Sequence, residues 1–265
     1  MLGAIIGDIA GSRFERYNHK SKDFELLTRE CCPTDDTSMT LAVAQALLRC
    51  NGRRFLLKRR AVQSMQQLGR RYPIGFGESF RLWLREKHPR PYGSFGNGAA
   101  MRVSPCAWAA PSLKAALALS DAVTVVSHDH PEAVKGARAV TTAIFMALHG
   151  ASGPDIREAI RRDYYPLDFT LDEIRPRYYF DVSCQGSVPQ AIEAFLEARD
   201  FEDAIRNAVS IGGDSDTIAA MAGSIAEAFF GIPRALRARA LRRLDTTQTR
   251  ILSEFEEKYG RRDSD

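Results

Sequence analysis

Two short acidic motifs, far apart in the chain, carry the side chains best suited to chemistry. The first motif is Thr34-Asp35-Asp36-Thr37, and the second is Gly212-Gly213-Asp214-Ser215-Asp216-Thr217. Hard divalent cations such as Mg²⁺ prefer oxygen ligands, and both motifs supply carboxylates and hydroxyls without a thiolate or an imidazole. Together they offer four Asp and two or three Thr or Ser oxygens, a set large enough to hold two ions.

Helix capping is the simpler role for each motif taken alone. Asp, Ser and Thr are preferred N-cap residues, and negative charge at a helix start also suits the helix dipole. Capping needs only one or two side-chain oxygens, so it does not explain the adjacent Asp35 and Asp36, nor a second motif of the same kind. Like charges at a helix start repel unless a cation lies between them. The pair of motifs therefore favours a metal site.

Most of the chain has the pattern of helices, including the segments that follow the two motifs. Apolar spacing or strong helix formers predict helices over residues 38–49, 55–68, 112–126, 131–149, 156–162, 188–198, 201–209, 217–230, 235–244 and 246–258. The best strand signal is the short segment 178–182. We predict an all-α fold, a compact single-domain bundle of many helices. Small residues such as Ala219 and Gly223 would let helices approach closely and bring their N-termini to one point.

Length and composition are those of an ordinary globular protein. The chain has 265 residues, of which 45% are hydrophobic and 26% charged. Because no linker rich in Pro, Gly or Ser divides the chain, we predict one domain over residues 1–260, followed by a polar tail at 261–265. Five Cys without framework spacing suit a reducing compartment. With no signal peptide and no apolar run of membrane length, we expect a cytoplasmic protein that has no membrane partner.

The charge distribution argues only weakly for a polyanionic partner. The net charge is +4, and basic clusters lie at residues 53–60 and 234–243. On helices such clusters usually form solvated faces. A nucleic-acid partner therefore stays an open alternative, and we expect a monomer.

A long connection at residues 89–105 is rich in glycine and has the sequence PRPYGSFGNGAAMRVSP. A stretch of this length without regular structure inside a compact domain is usually functional. Gly96-Asn97-Gly98 precedes a helical segment and is similar to an anion cradle, in which free backbone N–H groups at a helix start face the anion. A glycine-rich turn without a ligand is the simpler alternative.

Five sequence elements, in this order, resemble the ADP-ribosylglycohydrolases, a family that includes the dinitrogenase-reductase-activating glycohydrolase and the ADP-ribosyl-acceptor hydrolases. The elements are Gly7-Asp8-Ile9-Ala10-Gly11 with Glu15, Thr34-Asp35-Asp36-Thr37, residues 93–102, Ser127-His128-Asp129-His130-Pro131, and residues 212–217. The resemblance covers nearly the whole chain, and the ordered combination is far more specific than any one element.

The resemblance implies an all-α fold and a site that holds two Mg²⁺ or Mn²⁺ ions between the acidic motifs. The positions that match metal ligands are Thr34, Asp35, Asp36, Asp214, Asp216 and Thr217. Gly96, Asn97 and Gly98 match the loop that binds ribose and diphosphate, and Ser127 and His128 match a segment that lines the ligand cleft. Glu15 falls where some relatives have a glutamate that gates the site or contacts a metal.

The implied activity is hydrolysis of the bond between the anomeric ribose carbon of ADP-ribose and an acceptor, often Arg or Ser of a protein. The transition state resembles an oxocarbenium ion, and metal ions can hold ribose hydroxyls and lower the pKa of bound water. We take Asp35 and Asp36 as the catalytic pair, with Glu15 as gate or auxiliary base. The acceptor stays open, since the region 167–182 matches no element of the family with assurance. A non-catalytic ADP-ribose-binding protein and a metal-dependent nucleotide phosphohydrolase are the alternative functions.

Two aromatic residues of the glycine-rich connection are candidates for the adenine subsite. Phe95 or Tyr92 could stack on the base, since an aromatic face binds a base with about 1–3 kcal/mol. Packing within the loop is an equally good role for both rings.

Four polar residues have structural roles as their simplest explanation. His128 and His130 raise the question of zinc, but a helix-capping segment beside the cleft is the better interpretation, because Pro131 follows and no further His or Cys cluster lies near. For Arg102 we expect a salt bridge with a carboxylate such as Asp8, with phosphate binding as the alternative. Asp8 itself is expected to be a buried acceptor of several hydrogen bonds.

Overall fold

The computed structural model describes residues 1–260; the predicted polar tail at 261–265 lies outside the described residues. Fourteen α-helices occur in the described part: α1 (Leu2–Gly11), α2 (Asp35–Cys50), α3 (Leu57–Arg71), α4 (Glu78–Arg85), α5 (Ser104–Trp108), α6 (Leu113–Thr124), α7 (Pro131–Leu148), α8 (Gly153–Asp163), α9 (Leu171–Ile174), α10 (Cys184–Leu196), α11 (Phe201–Ser210), α12 (Ser215–Phe230), α13 (Arg234–Leu241) and α14 (Thr246–Tyr259). Short 3-10 helices span Arg54–Leu56 and Asn97–Ala99. The all-α prediction is confirmed.

Residues 178–182, which carry the best strand signal of the sequence, form an irregular loop before α10. Its pairing with the glycine-rich connection is limited to an isolated antiparallel bridge between Gly96 and Ser183. Two backbone bonds flank the bridge: Asn97 donates to the Val182 carbonyl (2.7 Å), and Cys184 donates to the Phe95 carbonyl (2.9 Å). Pairing stops there because a 3-10 helix begins at Asn97 and α10 begins at Cys184.

Helix α1 has no counterpart among the predicted helices. All ten of its residues are buried, so no polar face marks its period in the sequence. Three other helices without a predicted counterpart, α4, α5 and α9, have eight residues or fewer. Periodicity needs a longer segment than these provide, and a polar face that α1 does not have.

Helix α1 lies almost backbone to backbone on α12. A Cβ on Gly7 would lie 2.0 Å from the carbonyl oxygen of Ala219, and a Cβ on Gly11 would lie 2.5 Å from the Cα of Asp216. Only glycine permits such an approach at these two positions. The close packing places Asp8 of α1 beside the first turn of α12, where the second acidic motif ends.

The basic cluster at residues 234–243 is only partly a solvated face. Arg243 donates to the carbonyl of Thr28 (2.6 Å), and Arg239 donates to the carbonyl of Leu27 (2.8 Å). These arginines hold the loop between α1 and α2 against α13. Among residues 1–260, no helix is both long enough and apolar enough to cross a lipid bilayer.

Candidate active site

Asp8 fixes the first acidic motif to α1. Its carboxylate accepts hydrogen bonds from the backbone N–H of Thr34 (2.9 Å) and of Thr37 (3.0 Å), from the Thr34 hydroxyl (2.7 Å), and from the Thr37 hydroxyl in a shorter contact. Burial raises the pKa of Asp8, and the four hydrogen bonds offset part of that effect. The prediction of a buried acceptor of several hydrogen bonds is confirmed.

The starts of α2 and α12 meet beside Asp8. The Thr217 hydroxyl donates to Asp36 Oδ2 at 3.1 Å, which joins two motifs that are 181 residues apart. Carboxylate oxygens of Asp8, Asp36 and Asp216 lie within 4.8 Å of one another, and so do those of Glu15, Asp214 and Asp216. Asp216 belongs to both groups. Below, the acidic cluster means Asp8, Glu15, Asp35, Asp36, Asp214 and Asp216.

The negative charge of the acidic cluster is not compensated by any side-chain cation of the described residues. Within residues 1–260, no Lys, Arg or His forms an ion pair with any of its carboxylates. Burial raises the pKa of Asp35, Asp36 and Asp216 well above the ordinary value, and repulsion by neighbouring carboxylates adds to this. Burial also raises the pKa of Asp214 and Glu15. Such a set of like charges is suited to a bound cation.

Helix capping accounts for little of this arrangement. Thr34 is the N-cap of α2, and its side chain accepts from the backbone N–H of Asp36. Asp214 is the N-cap of α12 but makes no side-chain capping bond. Its Oδ2 instead accepts from Asn97 Nδ2 at 2.7 Å, which links the glycine-rich connection to the acidic cluster. Oδ1 of Asp36 is buried without any hydrogen-bond partner.

A cavity of about 610 Å³ opens beside the acidic cluster. The predicted site residues on its wall are Glu15, Asp35, Phe95, Gly96, Asn97, Gly98, His128, Asp214, Asp216 and Thr217. Thr34, Asp36 and Ser127, which were also predicted as site residues, are buried behind this wall. The fold therefore brings the acidic motifs and the glycine-rich connection to one cavity from distant parts of the sequence.

Residues 1–264 match the sequence model of the family described as ADP-ribosylglycohydrolase. The chain belongs to the ADP-ribosylglycohydrolase family. Among similar proteins, the ADP-ribosylhydrolase ARH3 of Xenopus tropicalis is 24% identical over 302 residues, which cover 87% of this chain and 86% of the relative. The ADP-ribosylarginine hydrolase Tri1 of Pseudomonas putida is 28% identical over 263 residues, which cover 88% of this chain and 70% of the relative.

A solved structure agrees in fold. It is described as an ADP-ribosylglycohydrolase-related protein complex and aligns with a TM-score of 0.72 at 24% identity, covering 97% of this chain and 95% of that chain. The match of residues 1–264 to the family model confirms the membership inferred from the five sequence elements, and the family and its members indicate an ADP-ribosyl hydrolase.

The salt bridge expected between Arg102 and Asp8 is wrong. Arg102 is 1% exposed, and its Nη2 donates instead to the hydroxyl of Ser127 at 2.8 Å. Burial lowers the pKa of Arg102 to about 10. The salt bridge was expected because the sequence has a cation and several acidic motifs. The carboxylate of Asp8 instead accepts its hydrogen bonds from the backbone and hydroxyl groups of the first motif. His130 caps α7, with Nδ1 accepting from the backbone N–H of Glu132 at 3.1 Å, which confirms its predicted capping role.

Several residues of the cavity wall were not predicted. Two of them are Gly75 and Gly77, in the loop before α4. Their positions on either side of Phe76 are a sequence signal that could have marked this loop as part of the site. Gly75 has φ +94°, and a Cβ there would lie 2.0 Å from Asp35 Oδ1, so this loop packs directly on a catalytic candidate. Phe180 and Val182 also line the cavity, and both belong to the segment that carries the best strand signal of the sequence.

The two predicted adenine-stacking residues both reach the cavity. The Tyr92 ring lies 5.6 Å from the ring of His128, and the Phe95 ring lies 5.4 Å from that of His130. Phe95 is 48% exposed and Phe180 is 55% exposed, so these two present more free ring surface than Tyr92. The choice between stacking and loop packing stays a prediction.

Proposed function

We propose that this protein is a divalent-metal-dependent hydrolase that releases ADP-ribose from an ADP-ribosylated acceptor. The observation that carries the proposal is a cluster of largely buried carboxylates that forms no ion pair with a side-chain cation of the described residues and opens onto the cavity beside it. The volume of about 610 Å³ lies in the range usual for small-molecule and cofactor sites. Membership of the ADP-ribosylglycohydrolase family supplies the substrate class.

The residues present suit two Mg²⁺ or Mn²⁺ ions. Supporting observations are the unpartnered Oδ1 of Asp36 and two groups of carboxylates that share Asp216. The oxygens are those that hard cations prefer. We assign the ligand role to Thr34, Asp35, Asp36, Asp214, Asp216 and Thr217, with Asp8 holding the first motif in position. Bound ions would orient the ribose hydroxyls and lower the pKa of an attacking water.

Within the catalytic pair, Asp35 is the residue that can act on substrate. It lies on the cavity wall, whereas Asp36 is buried behind it. Burial and the neighbouring carboxylates raise the pKa of Asp35, which favours a carboxyl group that takes up and returns a proton. We assign it proton transfer with water or the acceptor, and we assign Glu15, on the same wall, the role of gate or auxiliary base.

The rest of the cavity provides a subsite for each part of ADP-ribose. The 3-10 helix at Asn97–Ala99 starts at the glycine-rich connection, so backbone N–H groups of residues 96–98 can bind the diphosphate. The exposed ring of Phe95 is the better of the two predicted candidates for the adenine. The ribose would then reach Asp35 and the second motif, and the acceptor, an Arg or Ser side chain of a protein, would leave past Glu15.

The proposal is tested by measuring ADP-ribose released from arginine-linked, serine-linked and nucleic-acid-linked ADP-ribose, in Mg²⁺ and in EDTA. We expect turnover with at least one of them in Mg²⁺ and a loss of about 10²–10⁴-fold in Asp35→Ala, since one proton-transfer group contributes about that much. Asp214→Ala should also lose turnover. Asp121→Asn is the matched control, because Asp121 is paired with Arg138 away from the cavity and should keep full turnover.

Other outcomes point to the alternative functions. Release of AMP or inorganic phosphate instead of intact ADP-ribose would identify a nucleotide phosphohydrolase. Binding of ADP-ribose in calorimetry without turnover of any linked substrate would identify a binding protein. Full turnover in Asp35→Ala and Asp214→Ala would refute the assigned roles.

A further inference from the structure

Arg102 is a buried cation without a carboxylate partner. It follows the 3-10 helix of the glycine-rich connection and lines the cavity, yet no ion pair to it exists within residues 1–260. Its closest hydrogen bond runs from Nη2 to the hydroxyl of Ser127 at 2.8 Å, and the carbonyls of Val123 and Thr124 lie at 3.4 Å. Burying a charge that is paired only with neutral groups is costly. The position therefore calls for a specific explanation.

The Ser127 hydroxyl connects Arg102 to His128 by hydrogen bonds. Ser127 is fully buried and does not reach the cavity. Its oxygen accepts from Arg102, since a guanidinium can only donate. The other polar contact that the structure gives this hydroxyl is His128 Nδ1 at 2.8 Å. The hydroxyl hydrogen is thus directed at Nδ1, which must accept it.

The surroundings of the His128 ring also favour Nδ1 as the acceptor of the hydrogen bond from Ser127. Arg102 Nη2 lies 3.5 Å from Nδ1, so a hydrogen on Nδ1 would face a cation that cannot accept it. Burial and the Arg102 charge lower the pKa of His128 well below the ordinary value, so the ring is neutral. A neutral imidazole with Nδ1 as acceptor carries its proton on Nε2.

His128 Nε2 faces the glycine-rich connection at the cavity wall. A Cβ on Gly98 would lie 3.3 Å from Nε2, and one on Gly96 would lie 3.7 Å from it. The absence of a side chain at these two positions leaves the Nε2–H open toward the space above the loop. That space is where the proposed function puts the diphosphate.

We propose that Arg102 and Ser127 are positioning residues that fix His128 as an Nε2–H donor to an anionic oxygen of the substrate diphosphate. The proposal rests on the proposed function for the identity of the ligand. It replaces the predicted substrate contact of Ser127 by an indirect role. A donor held in one tautomer binds the anion without first taking up a proton or rotating its ring, which preorganises this end of the cavity.

The tautomer can be measured directly by ¹⁵N NMR of the histidine rings in the metal-free protein. The His128 signals are assigned by their loss in His128→Gln. We expect the Nε2–H form in the wild type and a mixture of tautomers in Ser127→Ala. Ser127→Thr, which keeps a hydroxyl, should restore the Nε2–H form. Ser120→Ala is the matched control, because Ser120 is equally buried but its hydroxyl has no hydrogen-bond partner.

Binding of free ADP-ribose tests the role of the donor. We expect ADP-ribose to shift the Nε2 resonance of His128, and its affinity to fall about tenfold in Ser127→Ala, the effect of one lost hydrogen bond to a charged group. An Nδ1–H tautomer in the wild type would overturn the proposal. An unchanged tautomer or unchanged ADP-ribose affinity in Ser127→Ala would overturn it as well.

These measurements separate this proposal from the proposed function, because neither needs turnover or a metal ion. If the tautomer and affinity behave as expected but no linked substrate is cleaved, only the hydrolase assignment fails. If linked substrates are cleaved while His128 is in the Nδ1–H form, only the relay through Arg102 and Ser127 fails.

Discussion

Replacing Asp36 by Asn should make the metal-free protein more stable, although the residue is central to the proposed metal site. Asp36 is 2% exposed, and its Oδ2 accepts from the Thr217 hydroxyl. Asn has nearly the same volume and can keep this bond through its carbonyl oxygen. Its amide group then takes the place of the unpartnered Oδ1 and can donate toward the carboxylates of Asp8 and Asp216, which lie within 4.8 Å. A repulsive contact becomes an attractive one.

The size of the effect follows from Coulomb's law. Two ionised carboxylates at this distance repel by roughly 3 kcal/mol at an effective dielectric constant of about 20. Proton uptake relieves part of this repulsion, because the pKa values in the cluster are raised. We therefore expect a gain of about 2 kcal/mol in the free energy of unfolding. For a protein of this size the corresponding increase in Tm is roughly 4–8 °C.

Mg²⁺ should reverse the order of stability, so that the wild type becomes more stable than Asp36→Asn. A ligand at a hundredfold excess over its Kd stabilises the native state by about 2.7 kcal/mol, and Asp36→Asn should lose most of this gain. The assay is thermal or urea unfolding of both proteins in EDTA and in Mg²⁺, with Asp121→Asn as a control whose Mg²⁺ response should match the wild type. The reasoning is refuted if Asp36→Asn is the less stable protein in EDTA, or if Mg²⁺ raises the Tm of both equally.

Three further outcomes follow from the same geometry. The pKa of Asp36 is raised in the folded state, so the native state binds more protons than the unfolded state. The free energy of unfolding, measured in EDTA, should therefore fall as the pH rises above 3.8. The fall should be less steep in Asp36→Asn. Gly75→Ala should displace Asp35 and lower turnover about 100-fold, whereas Gly52→Ala, at a similar positive φ but with open space around it, should leave turnover unchanged. Gly7→Ala should lower the Tm strongly, because its Cβ would overlap a backbone carbonyl of α12; an unchanged Tm would show that the two helices can separate at little cost.

The long helices and the two acidic motifs could be predicted from the sequence because their signals are local. Helices such as α2 and α12 combine helix formers with an acidic start, and the presence of two similar motifs suggested that they meet. The sequence predicted that Asp8 accepts several hydrogen bonds, but it did not predict which groups donate them. Helix α1 escaped prediction because it is apolar on every side, and periodicity is informative only where one face is polar.

The contacts of Arg102 and of the segment 178–182 could not be predicted for a different reason. Arg102 was expected to bind a carboxylate because opposite charges attract, but its depth in the fold, between α6 and the cavity, leaves it with Ser127 and two carbonyls. Phe180 and Val182 alternate as in a strand, yet the glycine-rich connection offers them only one bridge. Both cases concern contacts between distant segments, about which local sequence carries little information.

The central claim, that the two acidic motifs hold divalent cations, is tested most directly by anomalous X-ray scattering from crystals grown with Mn²⁺. The account predicts two anomalous peaks among these carboxylates, one in contact with Asp36 and Asp216 and the other in contact with Asp214 and Asp216. A well-ordered cavity without an anomalous peak among these carboxylates would contradict it.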